Sequence, residues 1–210
     1  MVILNITDYK DKNILLIGNK PIEQLTEKQL DFINSFDVIV RCNGLNNLEQ
    51  TGGRLDWWWL NIWSWDAIKN NLGDKKYDNA KLIMFDKQTK NFVDKHSLLQ
   101  HLPILKNIDN ICHTNQDAFN LYNQKELWEV NYVDNVPTTD VICLSYLINK
   151  FQLSNIHLIC LDIEERENLF RTHKNWAKTW HKNVGGLESD YIKNNINNHK
   201  LTYIDIEQIK

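Results

Sequence analysis

Short runs of apolar, β-favouring residues recur along the chain at 13–18, 37–42, 57–62, 81–85, 109–113, 156–161 and 201–204, and most of the stretches between them have helical period or helical composition. That alternation constrains the fold more than any other feature. Runs that are apolar throughout belong to strands covered on both faces, and strand–helix alternation is how a parallel sheet acquires its two covering layers. The expectation is an α/β fold built on a mostly parallel sheet of about seven strands with helices on both faces. Pro21 suits the first turn of a helix running to about Ser35, with Ile22, Leu25, Leu30 and Ile33 facing inward. A second helix is predicted over 138–150, with Thr138 or Thr139 as its N-cap and Val141, Leu144, Ile148 and Phe151 recurring at helical spacing. Residues 187–198 read as a third, led in by a flexible Gly185-Gly186.

The first run, Ile14-Leu15-Leu16-Ile17, empties into the turn-forming Gly18-Asn19-Lys20-Pro21. A buried strand followed by such a turn and a helix offers backbone N–H groups and a helix N-terminus to a phosphate. The second run, Asp37-Val38-Ile39-Val40, ends in Arg41-Cys42-Asn43, and Asn43 at a strand's carboxyl end can reach the same crevice. Together the two segments suggest a nucleotide site. A Gly-Asn turn can equally serve only to reverse the chain, and an Asn at a strand end often satisfies backbone groups. Arg41 reads as support for the loop or as partner of an internal acid rather than as a ligand contact.

Two further stretches carry chemistry. In Trp57-Trp58-Trp59-Leu60-Asn61-Ile62-Trp63-Ser64-Trp65, period two sends Trp57, Trp59 and Asn61 to one face and Trp58 and Leu60 to the other. Most of it reads as core, with Asn61 and Trp63 able to face a sugar ring near the strand's carboxyl end. Asp162-Ile163-Glu164 follows a buried strand, and two carboxylates at that spacing can hold Mg²⁺ or Mn²⁺ against a diphosphate. The run continues Glu165-Arg166-Glu167, which reads as a solvated charged turn.

At 210 residues and 42% hydrophobic content, with no Pro/Gly/Ser-rich linker, the chain is expected to form a single domain over 1–210. A net charge of −3 gives no basic field of the kind nucleic-acid binding needs. Cys42, Cys112, Cys143 and Cys160 show no CxxC spacing and lie mostly in or beside apolar runs, as buried reduced thiols do, which points to the cytoplasm. Met1-Val2-Ile3-Leu4-Asn5 is too short for a signal core, and no apolar run approaches the roughly 18 residues that span a bilayer. A soluble protein is expected, with peripheral association at a membrane left open.

Ile17-Gly18-Asn19 and Phe36-Asp37-Val38-Ile39-Val40-Arg41-Cys42-Asn43, then Gly52-Gly53-Arg54-Leu55-Asp56, then Val136-Pro137-Thr138-Thr139, and finally His181 followed by Glu188, form an ordered set spanning most of residues 13 to 200. That set resembles the motifs of the sialyltransferases. The resemblance implies a Rossmann-like sheet of the GT-A-variant type and an inverting transfer of sialic acid, or a related 3-deoxy-ulosonic acid such as Kdo, from a CMP-sugar donor to a glycan acceptor. It implies His181 as general base, with His173 the alternative for a direct role or for donor phosphate, and Glu188 orienting a His or tying down its helix. Glu188 can equally be a capping carboxylate in the first turn of that helix. Gly18, Asn19 and Asn43 would hold the nucleotide, Thr138 and Thr139 the sugar carboxylate, and Asn61 and Trp63 the acceptor. No metal and no cofactor are implied beyond the donor substrate. By analogy the acceptors would be surface or capsular glycans, and the missing anchor points to a bacterial-type cytoplasmic form engaged in polysaccharide biosynthesis. Two alternatives stay open: a metal-dependent nucleotide-diphosphate-sugar transferase using Asp162 and Glu164, and a non-catalytic nucleotide- or glycan-binding relative, which Asp140 in place of the family's usual Gly favours.

Overall fold

The computed structural model describes residues 6–43, 45, 47–60, 82–85, 138–163 and 185–209. Their centre is one parallel sheet. Strand β1 spans Asn13–Ile17, β2 Val38–Cys42, β3 Trp57–Leu60, β4 Leu82–Phe85, β5 Asn155–Ile159 and β6 Thr202–Tyr203, in the spatial order β4-β3-β2-β1-β5-β6. Every neighbouring pair runs parallel. From β1 the chain builds outward through β2, β3 and β4, then returns to add β5 and β6 on the other side of β1. The order therefore reverses between β1 and β5, and in open parallel sheets the ligand crevice lies at such a reversal, beyond the carboxyl ends of the strands.

Alternation along each strand sorts the core into two layers. Leu15, Ile17 and Ile39 point to one face, where Ile33 and Phe36, at and just beyond helix α1 (Glu27–Asn34), and the C-terminal Ile206 cover them. Ile14, Leu16, Val38, Val40, Trp57 and Trp59 point to the other, under helix α2 (Thr139–Ser145) and Ile192 of helix α3 (Gly185–Asn197). Helices thus lie on both faces, as the continuous apolar runs require. Trp57, Trp58 and Trp59 are all fully buried, with Trp57 edge-on to Tyr9 and Trp59 edge-on to Tyr146. Each full burial of a large apolar side chain contributes on the order of 1.5–3 kcal/mol, so Trp57 and Trp59 are major anchors of the layer under α2 and α3.

Six strands stand in the sheet among the described residues; the run 109–113, counted towards about seven, lies outside them. The structure corrects two expectations about the helices. The first helix does not begin at Pro21. It begins at Glu27, because Thr26 and Gln29 form a reciprocal capping box: the Thr26 hydroxyl accepts the Gln29 N–H at 3.3 Å and Gln29 Oε1 accepts the Thr26 N–H at 2.9 Å. Before it, Lys20 donates its N–H to Cys160 O at 3.0 Å, which holds the chain against β5 rather than letting it coil, and Ile22 and Leu25 pack on the layer covered by α1 from this irregular segment. Gly185 and Gly186 belong to the first turn of α3 instead of leading into it. The second helix forms as expected from an N-cap at Thr138, and a π-helical turn over Tyr146–Lys150 continues it.

Candidate functional site

Three loops leave the sheet at the carboxyl ends of its central strands. In register, Ile17 of β1 stands beside Arg41 of β2 and Ile159 of β5. Gly18-Asn19, Cys42-Asn43 and Cys160-Leu161 therefore emerge side by side. Gly18 donates its N–H to Ile159 O at 2.9 Å and lies so close to β5 that a Cβ there would overlap the Cys160 carbonyl. Glycine is needed here for that close approach. Asn19, half-buried, donates from its side-chain amide to Cys42 O at 3.0 Å. Among the described residues no acceptor takes the Asn19 N–H and no donor meets its Oδ1.

Asn43 adopts the left-handed region, φ 53°, which Asn tolerates better than most residues. Its N–H bonds Trp59 O and its carbonyl accepts the Trp58 indole N–H, both at 2.8 Å, so β3 fixes its backbone. The structure thus brings together Gly18, Asn19 and Asn43, as the strand-end reading expected. It replaces the helix N-terminus at this place by an extended loop, since α1 starts well beyond Asn19. What remains for an anion is a loop N–H.

Behind the loops lies a buried cation. Arg41 is 1% exposed and finds no carboxylate among the described residues: Nε bonds Arg54 O at 2.8 Å, one terminal nitrogen bonds Thr51 O at 3.3 Å and the other Asn47 Oδ1 at 3.5 Å. Burial lowers its pKa to about 10, which still leaves it charged at neutrality. Arg41 therefore supports the 47–54 loop, and the acid-pairing alternative gives way to carbonyl contacts. The acid of this region, Asp56, instead pairs with Arg54 at 2.7 Å and accepts the Ile39 N–H at 2.9 Å. Burial raises the Cys160 thiol to about 11, with the charges of Arg41 and Lys20 pulling the other way. Cys42 is raised well above its ordinary value by burial first, then by contact with Cys143 and by the charge of Asp140. Cys42, Cys143 and Cys160 are buried free cysteines; Cys112 lies outside the described residues.

Helix α2, which carries Asp140 in its first turn, packs against β2 and β3. At its start Thr138 donates its backbone N–H to Glu188, a carboxylate with no solvent exposure in the first turn of α3. Glu188 is thus a capping carboxylate for its neighbour's N-terminus, where anionic charge is favourable. Thr138 is half-buried and makes no side-chain cap bond, whereas Thr139 is buried. Ser189, next along α3, donates to Ile163 O at 2.7 Å and ties the same turn to the exit of β5, where Asp162 sits half-buried. His173, His181, Asn61, Trp63 and Glu164 lie outside the described residues. Among the described residues no cluster of three or more His, Cys, Asp or Glu could hold a metal, and no helix is long and apolar enough to cross a membrane.

Sequence reasoning missed Asn47, which is 3% exposed and donates to both Gly18 O and Lys20 O. Nothing local marks it in a chain where Asn is abundant throughout.

A parallel sheet wound outward from β1 in both directions and covered on both faces defines a doubly wound α/β fold, the class whose ligands bind beyond the strands' carboxyl ends at such a reversal point. Among solved structures it is similar to the sialyltransferase CstII from Campylobacter jejuni in complex with the substrate analogue CMP-3FNeuAc, at a TM-score of 0.50 and 16% identity, over 91% of this chain and 78% of that one. A CstII structure with trisaccharide acceptor and CMP aligns at a TM-score of 0.47 and 15% identity, over 91% and 80% of the two chains. One with cytidine-5'-monophosphate aligns at 0.44 and 15%, over 91% and 79%. The fold is that of a sialyltransferase-like glycosyltransferase. Neither a family sequence model nor a curated protein sequence matches the chain.

Proposed function

We propose that the chain is an inverting glycosyltransferase that moves sialic acid, or a related 3-deoxy-ulosonic acid, from a CMP-sugar to the hydroxyl of a glycan acceptor. The observation that carries this reading is the meeting of Gly18, Asn19 and Asn43 at the carboxyl ends of β1 and β2, beside the reversal point of the sheet, with the Asn19 N–H and Oδ1 left to a ligand. The fold's likeness to a sialyltransferase crystallised with a CMP-sugar analogue supports the donor class.

In this reading the bond between the anomeric carbon and the phosphate oxygen of CMP breaks through an oxocarbenium-like transition state. The acceptor oxygen bonds the opposite face of that carbon, and His181 takes the acceptor's proton. CMP departs with the bonding pair as a phosphate monoester, towards the Asn19 N–H. Thr138 and Thr139 meet the sugar carboxylate at the start of α2, Glu188 holds that start in place, and Asn61 and Trp63 contact the acceptor. His173 stands in reserve for donor phosphate. No step uses a metal or a cofactor, since a departing monophosphate carries less charge than a diphosphate. The test is product formation from CMP-sialic acid, with plain hydrolysis in the absence of acceptor counted as turnover. Neither transfer nor hydrolysis, with CMP bound, would leave a non-catalytic binder.

A further inference from the structure

The loop that follows β1 is held in an unusual way. Gly18 and Lys20 both have their N–H groups bonded to β5, at Ile159 O (2.9 Å) and Cys160 O (3.0 Å). Their carbonyls are taken by a single side chain: Nδ2 of Asn47 donates to Gly18 O at 2.7 Å and to Lys20 O at 3.2 Å. Asn47 is itself fixed from behind. Its Oδ1 faces the buried Arg41 guanidinium at 3.5 Å, and its own carbonyl accepts the Thr51 hydroxyl at 2.7 Å and the Thr51 N–H at 3.1 Å. The residues on either side of Asn19 are thereby held at both backbone groups, and Asn19 alone keeps an N–H for a ligand.

We infer that Asn47 is a positioning residue for nucleotide binding: it closes the two carbonyls flanking Asn19 and so presets the Asn19 N–H and amide towards the donor's phosphate or nucleoside, with Arg41 and Thr51 holding Asn47 in turn. This rests on the CMP-sugar reading above. A buried polar group with several partners keeps one geometry, and a loop preset in its bound geometry loses less entropy when ligand arrives. An exposed Asn would leave the two carbonyls to water and the loop to sample other states. A side-chain amide is the needed chemistry, because one atom must donate two bonds while another accepts from Arg41.

Asn47→Asp tests this, since it keeps the volume and the acceptor for Arg41 but removes the donor. Calorimetry with CMP should show affinity reduced about tenfold, the order expected for losing such bonds. The donor KM should rise by a similar factor, with kcat within a few-fold. Backbone amide exchange at Gly18 and Lys20 should speed up by about tenfold while Leu158 inside β5 keeps its protection. Should Asn47→Asp fail to fold, Thr51→Val removes only the hydroxyl behind Asn47 and should shift the same readouts in the same direction by less. Wild-type CMP affinity and unchanged exchange at Gly18 and Lys20 in a folded variant would overturn the inference. If the wild type binds no CMP, the donor reading itself falls, and the exchange measurement still decides whether Asn47 sets the loop.

Discussion

The side-chain amide of Asn19 donates to the carbonyl oxygen of Cys42 at 3.0 Å, across the ends of two neighbouring parallel strands. Cys42 immediately precedes Asn43, so the bond couples the two loops that the sequence pattern singled out. A buried or half-buried neutral bond of this type contributes about 0.5–1.5 kcal/mol. Its larger consequence is orientation: with Nδ2 turned to Cys42, Oδ1 faces away from that strand.

Asn19→Ala and Asn43→Ala should each weaken CMP binding by about 1–2 kcal/mol, the order of a hydrogen bond to a charged group. Because Asn43 is left-handed, Asn43→Gly separates side chain from backbone: it keeps the conformation and should weaken CMP to a similar degree. Calorimetry on folded variants checks this, and unchanged affinity in all three would remove the site.

Gly18→Ala should destabilise the fold by roughly 1–3 kcal/mol or more, because the new methyl overlaps the Cys160 carbonyl, a rigid backbone atom. Urea denaturation of the two proteins measures it. A loss within a few tenths would mean that β1 and β5 separate readily at this end.

His181→Ala should lower turnover by about 10²–10⁴-fold, the usual contribution of a general base, and leave CMP affinity within a few-fold. His173→Ala should affect donor use more than the chemical step. Wild-type activity should fall as acidification protonates the base, since imidazolium cannot accept a proton. Full activity in His181→Ala with loss in His173→Ala would exchange the two roles.

Chelation with EDTA should leave activity largely intact, and Asp162→Ala should cost little beyond local stability. Activity abolished by EDTA and restored by Mn²⁺ would instead favour a diphosphate-sugar donor held through Asp162 and Glu164.

His157 on β5 packs edge-on to Phe36 with its Nδ1 buried and without a hydrogen-bond partner among the described residues, and burial lowers its pKa below the ordinary 6.5. The unfolded chain therefore takes up this proton more readily than the folded one. The contribution is complete above 6.5 and is lost as pH falls from there through the lower folded value. Stability measured between about pH 7 and pH 5 should fall more steeply in the wild type than in His157→Leu. Parallel pH profiles would show that His157 remains solvated.

Much of this arrangement was written locally. The apolar runs within 13–18, 37–42 and 156–161 had to become doubly covered strands, because apolar side chains stand at successive positions in them and so point to both faces of the sheet. Period two placed Trp57 and Trp59 in one layer, and the apolar spacing from Val141 to Ile148 placed α2 against the sheet. Even the true start of α1 was legible in Thr26-x-x-Gln29, a stronger signal than Pro21 because two side chains satisfy two backbone N–H groups at once. Tertiary structure alone decided the rest. Which strand lies beside β1 depends on the chain returning from Asn155, and that return makes Gly18 obligatory through the carbonyl of Cys160. Glu188 finds Thr138, and Asn47 finds Gly18 and Lys20, by the same kind of meeting. Local pattern reports burial and period, which are properties of one segment; a hydrogen bond between segments distant along the chain exists only once packing has brought them together.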